Sequence, residues 1–177
     1  MNAKLMDATD ATAFAMDSET YPTPNRLLNE SAFGFPQPNG TGRKVNGSRV
    51  AIGSGTDIRK ARKAGRALAI QAGFAADGAT LIATAISEVA RNIVEYASPG
   101  EIIINPIEQR KKKGLQILAR DEGPGIPDVN QALQYDCPSR KRMGVGLPGT
   151  KYLMDDFAIV SQVGKGTTVT MTKWRVP

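Results

Sequence analysis

The sequence predicts an α+β domain, a two-layer sandwich in which helices cover one face of a mixed, mostly antiparallel sheet. Three observations lead to this prediction. Segments with strand-like composition come in pairs joined by short turns, which implies antiparallel pairing. Two longer segments repeat their apolar residues at helical spacing. The predicted order of elements, β-α-α-β-β-α-β-β, leaves the helices free to pack on one side of the sheet.

The first predicted elements are a strand and a helix with a cationic face. Arg49–Gly53 contains Val and Ile and has the pattern of a short strand. Thr56 or Asp57 can cap the helix that follows, because their side-chain oxygens accept bonds from the free amides of a first turn. This helix, Ile58–Ala72, has Ala and Leu on one face and Lys and Arg on the other, and Gly73 can end it.

Two hairpins make up the rest of the predicted sheet. Glu101–Ile107 has the composition of a strand, and Gly114–Asp121, which alternates in polarity, is its predicted partner across a charged turn at Glu108–Lys113. Phe157–Val163 and Thr167–Trp174 form the closing hairpin. Two further short helices are expected between the hairpins, at Pro127–Leu133 and Leu147–Met154, with an irregular loop between them.

Four polar side chains share one face of a second long helix, which begins after Asp77 and ends at Ser98-Pro99-Gly100. Asn92 has an amide oxygen, a hard ligand that suits Mg²⁺ shared with phosphates. Glu88, one turn away, is placed to accept a proton from an attacking water or hydroxyl. Arg91 can neutralise a phosphate or pair with a neighbouring carboxylate, and the alternative is an ordinary solvated helix face. The four residues are Glu88, Arg91, Asn92 and Glu95.

A carboxylate at a strand end marks a second candidate contact. Asp121 ends its predicted strand and is followed by Gly123 and Gly125. A carboxylate there can accept a hydrogen bond from an exocyclic amino group such as adenine N6, and glycines let a base approach the backbone. A bare loop gives the same letters, so this motif gains meaning only beside the others.

A glycine series opens the last predicted helix. Gly144, Gly146 and Gly149 precede or begin it, so its free amides can hold phosphate oxygens. Lys151, expected in the first turn, can add a positive charge. The glycines match the spacing of a dinucleotide motif but follow no strand of a βαβ unit, and no Walker A sequence is present. Gly164-Lys-Gly166-Thr167 is by itself a hairpin turn.

Composition excludes several other functions. The chain of 177 residues has no His and a single Cys, Cys137, which removes zinc sites and histidine-based catalysis. Its net charge of +6 is spread over several clusters without interleaved aromatics, which does not favour nucleic acid binding. No apolar run is long enough to span a membrane and no secretory signal is evident, so a cytoplasmic protein is expected. The proline and glycine content of residues 1–47 predicts a flexible extension. Residues 48–177 are predicted to form the folded domain.

Taken in order, the motifs resemble those of the GHKL ATPases, which have the Bergerat fold. Within that superfamily they are most similar to the bacterial anti-sigma-factor serine kinases of the RsbT type, the switch kinases of stressosomes. The resemblance extends from about Ser48 to Arg175. It is carried by four segments, Ala85–Ile93, Asp121–Asp128, Gly144–Phe157 and Thr172–Trp174.

The resemblance implies a Mg²⁺- and ATP-dependent protein serine/threonine kinase with a defined set of roles. Asn92 would hold Mg²⁺ against the ATP phosphates, and Glu88 would act as the base toward a serine hydroxyl. Asp121 would bind adenine in a pocket shaped by the two glycines that follow it. Thr167 would lie near the base or its bound water. The phosphates would be wrapped by Gly144, Gly146 and Gly149.

The resemblance also implies partners. The substrate would be a STAS-domain protein, and the released kinase would activate a PP2C-type phosphatase; a sigma factor is a further possible partner. Relatives have a lid rich in Ser, Thr and Gly before the glycine series, whereas this chain has the basic segment Tyr135–Met143. That departure keeps an alternative open, a non-catalytic ATP-binding anti-sigma factor or phosphatase-activating adaptor.

Overall fold

The computed structural model describes residues 46–109, 111–134 and 146–176. The extension predicted over residues 1–47, except for its last two residues, lies outside these ranges, and so do Gly144 and the segment Tyr135–Met143. The described strands are β1 Ser48–Ile52, β2 Gly100–Gln109, β3 Lys112–Asp121, β4 Asp156–Gln162 and β5 Gly166–Trp174. The described helices are α1 Gly55–Gln71, α2 Ala76–Tyr96, α3 Val129–Ala132 and α4 Gly146–Leu153.

The five strands form one sheet in the order β1-β2-β3-β5-β4. All four strand pairs of this described sheet are antiparallel. The predicted fold class is therefore confirmed, and the sheet contains no parallel pair within the described residues. The register sets Asp121, at the end of β3, opposite Thr167, at the start of β5. Two residues that are 46 positions apart in sequence thus meet on the central strands.

The core lies between one face of the sheet and helices α1 and α2. Ile102 and Ile104 on β2 are fully buried, as are Ile82 and Ile86 on α2. Each buried aliphatic side chain of this size contributes about 1.5–3 kcal/mol. A helix cap contributes about 1 kcal/mol, and the residue before α2, Ala75, provides no side-chain cap. Burial of its apolar stripe is therefore the main stabilisation of α2.

The start of α1 differs from the prediction. The helix begins at Gly55 with Ser54 as its N-cap residue, so Asp57 lies within the first turn. The Asp57 carboxylate accepts bonds from the Ser54 hydroxyl at 2.7 Å and from the Gly53 amide at 3.3 Å. Asp57 therefore secures the helix entry from inside the first turn. At the other end, Gly73 has φ +85°, and its amide donates to the Ile70 carbonyl, as expected of a residue that ends a helix.

The β2–β3 turn is tighter than predicted. Strand β2 continues to Gln109 and β3 begins at Lys112, so the charged segment joins the sheet. The register sets Glu108 opposite Lys113. Opposite charges across an antiparallel pair favour pairing, which explains why residues expected in a turn extend the strands.

Candidate nucleotide-binding and phosphotransfer site

Glu88 is a buried carboxylate at the junction of two helices. Only 8% of its surface is exposed, although Glu is seldom buried without a partner. Its Oε2 accepts a hydrogen bond of 3.1 Å from the backbone amide of Gly146, the first residue of α4. The first amides of a helix lack intrahelical acceptors and attract anions. The carboxylate of Glu88 thus lies at the position where the sequence predicts a phosphate-binding loop.

Asn92 follows Glu88 by one turn on the same face of α2 and is half-buried. Its side chain makes no hydrogen bond to another residue in the described ranges. An amide oxygen on a helix and beside a carboxylate is a donor that Mg²⁺ accepts. Within the same ranges no three His, Cys, Asp or Glu side chains come together as a metal cluster.

Asp121 is held at the end of β3 by two backbone donors. Its Oδ1 accepts from the Gly123 amide at 2.9 Å and from the Thr167 amide at 3.2 Å. No hydrogen bond to Oδ2 occurs among the described residues. One carboxylate oxygen therefore fixes the side chain, and the other can accept a bond from a ligand, as recognition of an exocyclic amino group requires.

The glycines near Asp121 permit close packing of backbone. A Cβ on Gly123 would clash with Ala97, at the end of α2. Gly125 has φ +73°, and a Cβ there would meet the Gln162 carbonyl. Gly166 has φ +99°, and a Cβ there would meet the carbonyl of Asp121 itself. These glycines thus bring the β4–β5 turn and the loop after β3 into contact, which fixes the position of the carboxylate.

Ser161 is a member of the site that sequence reasoning did not identify. Its Oγ accepts from the Ile126 amide at 2.8 Å and lies 2.8 Å from Thr167 Oγ1. It also donates to the Gly166 carbonyl at 3.1 Å. The residue lies inside a predicted strand, without a motif of its own, so the register of β4 against β5 is the signal that brings it to Thr167.

The start of α4 is compact and rich in internal bonds. Gly146 has φ +59°, and the Thr150 hydroxyl donates to its carbonyl at 2.7 Å. Gly149 and Thr150 are buried. Lys151 differs from the prediction, because it lies in the last turn of α4 and is exposed. The reason is that this helix has only eight residues and starts at Gly146.

The structure thus brings the predicted residues together in two groups. Glu88 and Gly146 meet where α2 contacts α4, and Asn92 lies one turn from Glu88 on the same helix face. Asp121 and Thr167 meet where β3 pairs with β5, with Gly123 and Gly125 beside them. The two groups are linked by α2, whose end packs on Gly123 through Ala97. A helix-start amide beside a candidate metal ligand at one end, and a fixed carboxylate at the other, suit a ligand with phosphates and an amino-bearing base.

Comparison with known proteins defines the class. Residues 54–173 match the family model described as the histidine kinase-like ATPase domain. The chain belongs to this family.

Among individual relatives, the chain is 45% identical over 127 residues to the serine/threonine-protein kinase RsbT of Bacillus subtilis, an alignment covering 72% of this chain and 96% of that one. It is 35% identical over 99 residues to the anti-sigma F factor of Caldanaerobacter subterraneus subsp. tengcongensis, covering 52% of this chain and 68% of that protein. The predicted superfamily and its RsbT-type branch are confirmed by these matches.

A solved structure shares the fold. The crystal structure of the RsbU and RsbW domains of Rv1364c from Mycobacterium tuberculosis superposes with a TM-score of 0.50 at 18% identity. The match covers 73% of this chain, which spans 33% of the length of that one. In the described ranges, no helix is both long and apolar enough to cross a membrane.

Proposed function

We propose that this chain is an ATP-dependent protein serine/threonine kinase of a bacterial partner-switching pathway, acting on a STAS-domain protein in the cytoplasm. The observation that carries the proposal is the contact of the buried Glu88 carboxylate with the Gly146 amide, one turn from Asn92. It joins a candidate base, a candidate phosphate-binding amide and a candidate metal ligand at one point. The 45% sequence identity with RsbT, over 96% of the length of that kinase, supports the proposal.

In the proposed reaction the residues have distinct tasks. The acceptor hydroxyl oxygen bonds to the γ-phosphorus of ATP, the bond from that phosphorus to the bridging oxygen of ADP breaks, and the hydroxyl proton passes to Glu88. Asp121 binds the adenine amino group through Oδ2, with Thr167 and Gly123 holding Oδ1. The amide of Gly146, with Gly144 and Gly149, holds phosphate oxygens. Positioning and electrostatics supply most of such catalysis.

The residues present fit a magnesium ion. Asn92 offers an oxygen that is not engaged within the described chain, and the adjacent Glu88 adds negative charge. When bound, Mg²⁺ would neutralise charge on the phosphates. Asn92 would be its one protein ligand among the predicted site residues. Lys151, exposed in the last turn of α4, would add positive charge near the phosphates.

The proposed partners are those that the family resemblance implies. The proposed substrate is a serine or threonine of a STAS-domain scaffold or antagonist protein, and the proposed downstream partner is a PP2C-type phosphatase that the free kinase activates.

The test is transfer of labelled phosphate from ATP to a STAS-domain protein of the same organism. The wild-type chain should phosphorylate it in the presence of Mg²⁺. Glu88→Ala and Asn92→Ala should each reduce transfer by about 10²-fold or more, with unchanged circular dichroism. Transfer at full rate in both variants would remove the proposed roles of these two residues.

A second candidate is a non-catalytic ATP-binding anti-sigma factor or phosphatase-activating adaptor. The similarity to the anti-sigma F factor is the observation that favours it. The same assay separates the two functions. Nucleotide binding by calorimetry, with stable capture of a sigma factor and without transfer to any STAS-domain protein, would establish the adaptor.

A further inference from the structure

Arg91 has an unmet hydrogen-bonding requirement on the helix that carries Glu88 and Asn92. Its Nε atom is buried and has no hydrogen-bond partner in the part of the chain that the structure describes. A charged donor withdrawn from water without an acceptor is costly. Such a donor is expected where a ligand supplies the acceptor, so Arg91 points to an anion from outside the described chain.

Helix geometry sets Arg91 and Asn92 on opposite sides of Glu88. At about 100° per residue, Arg91 lies about 60° to one side of Glu88 and Asn92 about 40° to the other. In the proposed reaction, phosphates and Mg²⁺ lie on the side of Asn92. Since the attacking and leaving oxygens are in line at phosphorus, the acceptor hydroxyl enters opposite ADP and next to its base. Arg91 therefore flanks the acceptor and not the nucleotide.

We propose that Arg91 binds a carboxylate of the acceptor protein, close to the hydroxyl that receives the phosphate. This inference rests on the proposed kinase function. The guanidinium group offers several donors in one plane and pairs with both oxygens of a carboxylate. Such a pair fixes the acceptor segment relative to Glu88, because both residues extend from the same rigid turn of α2. Arg91 is thereby a specificity-determining residue that selects an acidic acceptor segment.

The exposed face of the neighbouring helix α1 also favours an acidic partner. Helices α1 and α2 pack against each other across a short connection, so the first half of α1 runs beside the last half of α2. That part of α1 carries the exposed side chains of Arg59, Arg62 and Lys63. Neither Arg62 nor Lys63 has an ion-pair partner among the described residues. Their combined field would attract an acidic surface and favour its association.

The test separates binding of the acceptor from binding of ATP. Arg91→Ala is expected to raise KM for the STAS-domain acceptor about 10- to 100-fold, while the Kd for ATP, measured by calorimetry, changes by less than about twofold. Arg91→Lys should recover part of the loss, since an ammonium group keeps the charge without the planar geometry. Lys112→Ala is the matched control, because it also removes one positive charge. Lys112 is exposed and is the first residue of β3, whereas Asp121 is the last. The control should leave KM for the acceptor and Kd for ATP unchanged.

A charge exchange gives the sharpest confirmation. Arg91→Glu should abolish transfer, and an arginine in place of the acidic acceptor residue nearest the phosphorylated hydroxyl should restore it in part. The inference is overturned if Arg91→Ala weakens ATP binding with KM for the acceptor unchanged, since the anion would then be a nucleotide phosphate. It is also overturned if Arg91→Ala lowers only the thermal stability and Arg91→Lys has the wild-type KM for the acceptor. Arg91 would then have a structural role alone.

Failure of the proposed function has a different signature. In that case the wild-type chain itself transfers no phosphate to any STAS-domain protein. Calorimetric binding of the same STAS-domain protein, in the presence of a non-hydrolysable ATP analogue, then becomes the readout. Binding weakened about tenfold or more by Arg91→Ala supports the inference, and binding that Arg91→Ala leaves unchanged contradicts it.

Discussion

The Oε2 atom of Glu88 accepts a hydrogen bond of 3.1 Å from the amide of Gly146, which lies 58 residues further along the chain. A buried carboxylate thus satisfies the first amide of α4. The proposed function assigns this amide to a phosphate oxygen and this carboxylate to proton transfer. Phosphate and carboxylate are both anions, so the two compete for one donor.

Competition at this amide predicts opposite effects of Glu88→Gln on binding and on transfer. Replacing the carboxylate with a neutral amide removes repulsion of the phosphates, so the affinity for ATP should increase about 3- to 10-fold, on the order of 1 kcal/mol. Transfer should fall about 10²- to 10⁴-fold, because Gln cannot accept the proton. Calorimetry and labelled ATP measure the two effects. Weaker binding of ATP to Glu88→Gln would contradict the competition.

The two oxygens of Asp121 have separate tasks, and Asp121→Asn tests this division. The substitution can keep an acceptor oxygen toward the Gly123 and Thr167 amides, so the free energy of unfolding should change by less than about 1 kcal/mol. Its nitrogen in place of Oδ2 donates and cannot accept from the adenine amino group. ATP affinity should therefore fall about tenfold or more, measured by calorimetry beside a urea titration. An unfolded variant would show that the carboxylate is mainly structural.

Two glycines of one turn provide a matched pair of stability variants. Gly164 and Gly166 both have positive φ, +76° and +99°. A Cβ on Gly164 meets nothing within 4 Å, whereas a Cβ on Gly166 would meet the carbonyl of Asp121. Gly164→Ala should cost about 1 kcal/mol from backbone strain alone, and Gly166→Ala about 3 kcal/mol or more from strain and displaced backbone. Urea denaturation measures both, and equal losses would mean that the contact with Asp121 relaxes freely.

Acid stability should depend on Asp57. Its pKa is lowered from 3.8 to about 2, first by the bond from the Ser54 hydroxyl and then by the bond from Lys60. Because the folded-state pKa lies below the ordinary value, the stabilisation is fully present above about pH 4 and is lost as the pH falls toward 2. The difference in unfolding free energy between wild type and Asp57→Asn should therefore shrink between pH 4.5 and pH 2. A difference that stays constant over this interval would assign the effect of the variant to other causes.

Much of the fold could be predicted because its signals are local. Strand-like composition on both sides of short turns identifies both hairpins, and Gly73 ends α1 because its φ of +85° suits glycine. The family resemblance predicts that Asp121 and Thr167 both lie near adenine, whereas the pairing of β5 with β3 that joins them is seen only in the structure. The ends of β2 and β3 were less predictable, since Glu108 and Lys113 pair with each other across these strands and are not part of the turn.

The features of the site that the sequence did not predict depend mainly on contacts between residues distant in sequence. Nothing around Glu88 indicates that a glycine 58 residues later binds its carboxylate. Ser161 has no motif, and its role arises only from strand register. Lys151 was assigned to a first turn because the helix length was not fixed by the sequence pattern, and in a helix of eight residues one position changes the turn. The functional roles of the predicted site residues stay predictions until the variants are measured.

The adenine end and the phosphate end of the candidate site are held by different parts of the fold, and hydrogen exchange of two amides should reveal the difference. The Thr167 amide donates to the Asp121 side chain within the paired central strands β3 and β5, so its exchange should require cooperative unfolding of the sheet. The Gly146 amide donates to the Glu88 side chain at the start of a short helix, outside the described strand pairs, so local opening suffices. Bound ATP should slow exchange at Gly146 far more than at Thr167. The base end would then behave as a preformed site, and the phosphate end as one that the nucleotide itself completes.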